Sequence, residues 1–301
     1  MMDLDTRQRA MLQEMGVHVW LPQAPADATA AAPVEVAPAA VTRAVPAVPT
    51  PERAPATAVP TPEQASANAL QLSDLDWPAL AQAASACAAC GLCASRRCST
   101  LLAPAIAPEQ ACDWMVVGDA PDEAEDLEAN PFAGDDGVLL DNMLRALGVR
   151  RVNLHPEAMA VAGAGATSAT PAQRFYVTNV VKCRPAHGQI PQAADLAQCG
   201  AYLAREIALV RPRVILAMGR FALQALLGGV PELAGQPLGK LRGTVHHYAG
   251  IPVVVTYHPK QLMRKGADNA RGKAQAWADL CLAAASAATT NGYPHIAHPT
   301  N

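Results

Sequence analysis

The residues Asp113-Trp-Met-Val-Val-Gly118-Asp-Ala-Pro-Asp122-Glu-Ala-Glu125-Asp-Leu-Glu-Ala-Asn-Pro-Phe132-Ala-Gly-Asp-Asp-Gly137 set the reading of the whole chain. Trp114 to Val117 is a short apolar run with β-branched members, bounded by Gly118 and Pro121. It reads as a buried strand that ends in a turn. Acids, Phe132 and glycines then crowd a loop. In an open α/β sheet the loops beyond the carboxyl ends of the strands carry the site, so this stretch marks a candidate active-site rim.

Working outward, residues 74–86 predict a helix. Residues 138–149 carry Leu139, Leu140, Met143, Leu144 and Leu147 at helical spacing, closed by Gly148. Residues 153–173, rich in Ala, Gly and Thr, read as an insertion. Strands follow at 175–183, 214–219 and 253–257, with helices at 193–210, 220–227 and 273–287. Alternating strands and helices predict a three-layer α/β/α fold around a central, mostly parallel four-stranded sheet.

Composition divides the 301 residues unevenly. Residues 23–72 are dominated by Ala, Pro, Val and Thr without helical or strand periodicity, which predicts a disordered linker, because Pro removes donors and Ala buries little area. Residues 73–290 are long enough for one sizeable core, and 291–301 read as a tail. The formal charge of -3 resides entirely in residues 1–72, leaving 19 bases and 19 acids beyond them. Bulk charge therefore argues for no nucleic-acid partner, but a local patch does: Lys260, Arg264, Lys265, Arg271 and Lys273 face one acid, Asp268. No apolar run has the length of a membrane span and the N-terminus lacks a secretory signal, so a cytoplasmic, monomeric protein is expected.

In the cytoplasm eight cysteines are poor candidates for disulfides and better ones for metal or cluster binding. Cys87, Cys90, Cys93 and Cys98 lie within twelve residues, and two-residue gaps let neighbouring sulfurs turn toward one centre. Zinc and iron-sulfur both remain open on that spacing. Cys183 and Cys199 follow sixteen residues apart, while Cys112 and Cys281 read as inert buried thiols. Asn179, at a strand end, presents a donor and an acceptor together, which suits a pyrimidine edge.

Three strand-end loops, those of Phe132, Asn179 and His258, thus converge on one rim. With the six clustered cysteines, the set resembles the family 4 uracil-DNA glycosylases, the iron-sulfur branch of that superfamily. The family pattern of Cys-x2-Cys-x-Leu-Cys-x2-Arg is met by Cys87, Cys90, Leu92, Cys93 and Arg96. Gly118 to Asp126 stands for Gly-Glu-Ala-Pro-Gly with its following Glu-Asp, and Pro131 to Gly134 for Pro-Phe-Val-Gly. Thr178 to Pro185 matches Thr-Asn-Val-Val-Lys-Cys-Arg-Pro, Cys199 supplies the further cysteine, and His258 to Arg264 answers His-Pro-x-x-Leu-Leu-Arg. The likeness runs in order over about residues 80–285.

The resemblance implies excision of uracil from DNA in base excision repair, with uracil-containing DNA as partner. It implies a [4Fe-4S] cluster on Cys87, Cys90, Cys183 and Cys199, with Cys93 and Cys98 as bystanders. Asp119, helped by Glu125, would position water and His258 would stabilise the leaving base. Ala120, Phe132 and Asn179 would bind the uracil. Leu262 would wedge into the base stack, and Lys260, Arg264 and Lys265 would hold phosphates. Residues 1–22, with Met11, Leu12, Met15, Val17, Val19 and Trp20, read as a docking peptide. They resemble the N-terminal peptide of the psi subunit of the bacterial clamp loader, implying a replication or repair partner.

The chain departs from the pattern where Asp119 replaces Glu, Asp122 replaces Gly and Ala133 replaces Val. Eight acids and no bases fall between Asp119 and Asp136, a charge that repels phosphate unless it is neutralised or turned away. The alternative reading is a catalytically weakened DNA-binding iron-sulfur protein of the same fold, acting as a repair or replication accessory. A third is a zinc-bound nucleotide-processing protein.

Overall fold

The structure is a computed structural model and describes residues 71–104, 112–152, 173–187, 189–264 and 269–289. The expected docking peptide, the linker to residue 70, the insertion at 153–172 and Lys265 lie outside the described residues. Helix α1 (Trp77–Ala86) begins where the Asp76 side chain accepts from the Ala79 N–H at 3.0 Å. A single 3-10 turn, Gly91–Ser95, follows. Then come β1 (Trp114–Gly118), α2 (Glu123–Glu128), α3 (Asp135–Arg145), β2 (Val149–Arg151) and β3 (Gln173–Asn179). The chain continues through α4 (Ala193–Val210), β4 (Val214–Met218), α5 (Arg220–Leu227), α6 (Leu238–Leu241), β5 (Val245–Tyr248), β6 (Ile251–Thr256), α7 (Pro259–Leu262) and α8 (Asn269–Thr289).

The sheet has six strands in the order β2-β3-β1-β4-β6-β5, two more than expected, all parallel except β5 against β6. The four expected strands form its centre. Their continuous apolar runs reflect burial on both faces. Alternate residues divide the core in two. Met115, Val117, Tyr176, Ile215, Ala217, Val253 and Val255 meet Leu203 and Ile207 of α4 and Ala222 and Leu226 of α5. Trp114, Val116, Phe175, Val177, Leu216 and Val254 meet Leu140 and Leu144 of α3 and Leu280 and Ala283 of α8. That alternation builds the three layers.

The order places β1 between β3, reached through β2, and β4, which leads toward β6. Chain direction across the sheet therefore reverses at the carboxyl end of β1, the crevice where open α/β sheets bind ligands. Gly118 pairs in register with Asn179 of β3, which sets the two loop starts side by side.

Candidate active site

Phe132 takes a left-handed backbone, φ 55°, that a bulky residue adopts at a cost. Its N–H donates to Glu125 Oε1 at 2.7 Å, which holds that conformation. The ring stacks on His258 with centroids 4.9 Å apart and planes 13° from parallel. It also lies over Gly118, where any Cβ would strike the ring edge. Phe132, Asn179 and His258, far apart along the chain, thus share one buried cluster at the carboxyl ends of β1, β3 and β6. The two stacked rings leave no gap for a third between them, and the Phe132 ring is 2% exposed, so the cluster is closed in this state.

The orientation of Asn179 follows from its neighbours. Nδ2 donates to the Asp119 carbonyl at 3.1 Å and to Glu125 Oε1 at 3.0 Å, and since both partners only accept, the amide nitrogen must face them. Oδ1 is buried and receives no hydrogen bond among the described residues. A buried acceptor without a donor costs about 1–3 kcal/mol, which a ligand N–H would recover. The donor-and-acceptor pairing with a pyrimidine edge expected of Asn179 is reduced to its acceptor half, because both amide hydrogens are taken.

His258 caps α7, and the Lys260 N–H donates to its Nδ1 at 3.3 Å, leaving the ring proton on Nε2. Burial, reinforced by the Lys260 charge, pulls its pKa down to about 3. The ring is therefore neutral near pH 7, and its remaining donor, Nε2–H, lies beside Gly118.

Asp119, Asp122, Glu125, Asp126 and Asp136 of the acidic loop are met by two cations, Lys260 and Arg184, and by backbone N–H groups. Asp122 and Glu125 form a capping box at the start of α2. Lys260 Nζ lies 2.9 Å from Asp122 Oδ2, 3.0 Å from Glu125 Oε2 and 3.7 Å from Asp136 Oδ2. Burial opposes a charge on Lys260, but the Glu125, Asp122 and Asp136 carboxylates hold its pKa above the ordinary value. Burial raises the pKa of Asp136 against that same ammonium. Asp126 accepts from the Arg97 and Cys98 N–H groups at 2.9 and 3.3 Å and lies 3.3 Å from Arg184 Nε. Asp119 Oδ1 accepts from the Phe221 and Ala222 N–H groups at 2.8 and 3.2 Å, at the start of α5. Burial lifts the Asp119 pKa, and those N–H groups partly offset it.

Four expectations change. Lys260, read as a phosphate ligand, has its ammonium paired with the Asp122 and Glu125 carboxylates and near that of Asp136. Glu125, read as a helper in water activation, spends its carboxylate on Asp122 N–H, Lys260, Phe132 N–H and Asn179. Leu262, read as the wedge, is 3% exposed and packs toward Gly272, whereas Met263 beside it is 43% exposed. Cys281, read as buried, is exposed on α8. Arg264 is exposed, and Ala120 lines an open depression with Pro121, Asp122, Arg184, His187 and Phe221.

Cys87, Cys90, Cys183 and Cys199 line one small cavity between α1, the 3-10 turn, the loop after β3 and α4, together with Cys93, Lys182 and Tyr202. All are free thiols. Cys98 is not among the lining residues, but Cys93 is, which its reading as a bystander omits. Burial pushes the Cys90 and Cys199 thiols up to about 12. Among the described residues no three His, Cys, Asp or Glu side chains meet at a single metal-ion position.

The sequence places Lys182 near the mouth of β3 with Asn179 and Cys183 but gives no sign of its partner Glu206. Lys182 Nζ, buried, donates to Thr178 Oγ1 at 2.6 Å, to the Asn179 carbonyl at 2.7 Å and to Glu206. Glu206 also accepts from Tyr176 and Thr178, both at 2.8 Å. This polar knot fixes the end of β3 beside the cysteine cavity. A Glu in mid-helix and a Lys after a strand give no local signal of it.

Residues 105–281 match the family model described as the uracil DNA glycosylase superfamily. The chain is 30% identical over 178 residues to a type-4 uracil-DNA glycosylase of Archaeoglobus fulgidus, covering 58% of this chain and 78% of that one. The corresponding protein of Pyrobaculum aerophilum is 34% identical over 160 residues, 51% of this chain and 69% of its own. That of Thermotoga maritima is 31% identical over 161 residues, 52% and 69% respectively.

Proposed function

The chain belongs to the uracil DNA glycosylase superfamily, and from that premise we propose that it hydrolyses the N-glycosidic bond of a uracil swung out of DNA, the opening step of base excision repair. The observation that carries this reading is the meeting of Phe132, Asn179 and His258 at the sheet's crevice. Extruding the nucleotide costs a few kcal/mol, which stacking on Phe132, worth roughly 1–3 kcal/mol per base, helps offset. Entry requires the Phe132 segment to part from His258. Asn179 Oδ1 then accepts from the uracil N3–H, whereas cytosine presents a lone pair at N3 and leaves both acceptors unpaired.

Cleavage builds negative charge on the uracil and positive charge on the sugar. His258, neutral and donating through Nε2, stabilises the uracil oxygen as charge develops, in a site dry enough for that bond to count. Glu125 acts as a positioning residue for Phe132 and Asn179. Asp119 holds the start of α5 through Oδ1 and offers its carbonyl to Asn179, and its Oδ2 positions the water that adds to the sugar cation, which the carboxylate charge also favours. Met263 takes the place of Leu262 as the exposed apolar side chain next to the site, and Arg264 supplies a phosphate contact.

A [4Fe-4S] cluster on Cys87, Cys90, Cys183 and Cys199 fits the donor set of this cavity: reduced thiols from three parts of the chain surround a space instead of a point. Cys87, Cys90, Cys183 and Cys199 would hold such a cluster as thiolates spread around the cavity, whereas a zinc ion would need donors that converge on one point. When bound, such a cluster supplies a crosslink between α1, the β3 loop and α4. The hydrolysis consumes no electron.

The test is excision from single- and double-stranded oligonucleotides carrying uracil, cytosine or thymine at one position, with abasic sites counted after alkali. Abasic sites at uracil alone are expected. Tight DNA binding without abasic sites would favour the accessory-protein reading.

A further inference from the structure

Arg96 follows the 3-10 turn that carries Cys93, and its guanidinium joins two things that the uracil chemistry does not use. Nη1 donates to the Ala84 carbonyl at 3.0 Å and Nη2 to the Ser85 carbonyl at 2.7 Å, two carbonyls of the last turn of α1. Nη1 also lies 3.2 Å from Cys183 Sγ, a hydrogen bond to one of the cavity thiols. Cys87, the C-cap of α1, lies two residues beyond Ser85, and Cys183 comes from the loop after β3, so one planar fork ties the chain beside one proposed ligand to the sulfur of another.

A helix C-terminus and a cluster with four thiolates are both electronegative, and each gains from a fixed cation. An Arg is suited to this position because its fork reaches the two carbonyls and the sulfur at once. A capping role alone would need the carbonyls. The bond to sulfur would then be superfluous.

We propose that Arg96 is the cationic positioning residue of the cluster, orienting Cys183 and holding it against the end of α1 so that the cluster is retained; this rests on the cysteine cavity binding an iron-sulfur cluster. Removing the charge makes the cluster harder to reduce and quicker to lose. Second partners of metal ligands are worth about 10- to 100-fold in metal affinity, and Arg96 should stand near the lower figure because it is part exposed.

The experiment compares wild type with Arg96→Met, Arg96→Gln and Arg96→Lys, all purified without oxygen as full chains. Iron content, visible absorbance, the rate of iron loss to a chelator and the midpoint potential are measured on each, and melting of the iron-free forms controls for folding. Arg96→Met is expected to release iron about 10-fold faster than wild type and to show a lower midpoint potential. Arg96→Lys should recover the potential but only part of the retention, and Arg96→Gln the reverse. Wild-type iron loss and potential in Arg96→Met overturn the proposal. So does a faster loss matched by an equal fall in iron-free stability with the potential unmoved, since that is capping alone. A wild-type protein without iron would instead overturn the cluster reading itself, which separates the two failures.

Discussion

Replacing Lys260 by Met leaves Glu125, fully buried, and Asp136, nearly so, without their cation. Breaking a buried pair costs about 3–5 kcal/mol and an exposed one about 0.2–1 kcal/mol. Lys260 is 36% exposed in its side chain, and Asp122 is 43% exposed. The loss should fall between the two ranges, at roughly 2–3 kcal/mol near pH 8, or a melting-temperature drop of about 4–12 °C for a domain of this size. The deficit is pH-dependent with a definite sign. Burial already raises Asp136 against the Lys260 charge, and without Lys260 its native carboxyl binds a proton more readily than in the unfolded chain, so the variant gains stability relative to wild type as pH falls. The difference should be smaller at pH 5 than at pH 8, read by urea unfolding at both values. Because the ammonium is already engaged inside the protein, the salt dependence of DNA binding should not change, whereas losing a phosphate contact lowers that slope by about one. A deficit that is the same at both pH values, or a slope that falls, would refute the intramolecular role.

Phe132→Ala should slow uracil excision by roughly 5- to 150-fold, the equivalent of 1–3 kcal/mol of stacking, while binding to undamaged DNA changes far less; equal losses in both assays would remove the stacking role. Gly118→Ala sets a methyl against the same ring, so it should lower single-turnover excision at least ~10-fold without loss of the fold by circular dichroism. His258 should stay neutral through the range pH 5–8, giving a flat rate profile on its account and imidazole nitrogen shifts that do not titrate there. Its folded pKa of about 3 lies below its unfolded value of about 6.5, so its contribution to stability is intact above pH 6.5 and is lost as pH falls toward 3. Cys183→Ser should lower both iron content and melting temperature, and unchanged values would show that another thiol, with Cys93 the first to examine, serves as ligand.

The centre of the fold was legible because β1, β3, β4 and β6 are buried on both faces and so read as apolar runs. The two edge strands were not: Val149–Arg151 is three residues with two arginines, and Val245–Tyr248 alternates exposed and half-buried side chains. The rim was legible as a set of loop residues, but partners within it were not. Lys260 reads as a phosphate ligand from local charge, and its place among Asp122, Glu125 and Asp136 arises only when loops over a hundred residues apart close on each other. The Asp122-x-x-Glu125 spacing is a capping-box signature, and it carried the clue that Asp122 starts a helix rather than confronting DNA. Which face of a four-residue helix is buried has no periodic signal, so nothing in the sequence marks Leu262 as buried and Met263 as exposed. Cys183 and Cys199 were tied to the Cys87 segment by family likeness, since spacing alone joins neither to it.

The central claim is that one base is enclosed by a ring, an amide and an imidazole drawn from three strand ends. Its most direct test is a crystal structure with DNA bearing 2′-fluoro-2′-deoxyuridine, whose fluorine slows cleavage by disfavouring the sugar cation. The account predicts the extruded uracil stacked on Phe132, its N3–H on Asn179 Oδ1 and an oxygen within reach of His258 Nε2, with the Phe132–His258 stack parted. A uracil bound elsewhere on the protein, with that stack still closed, would contradict it.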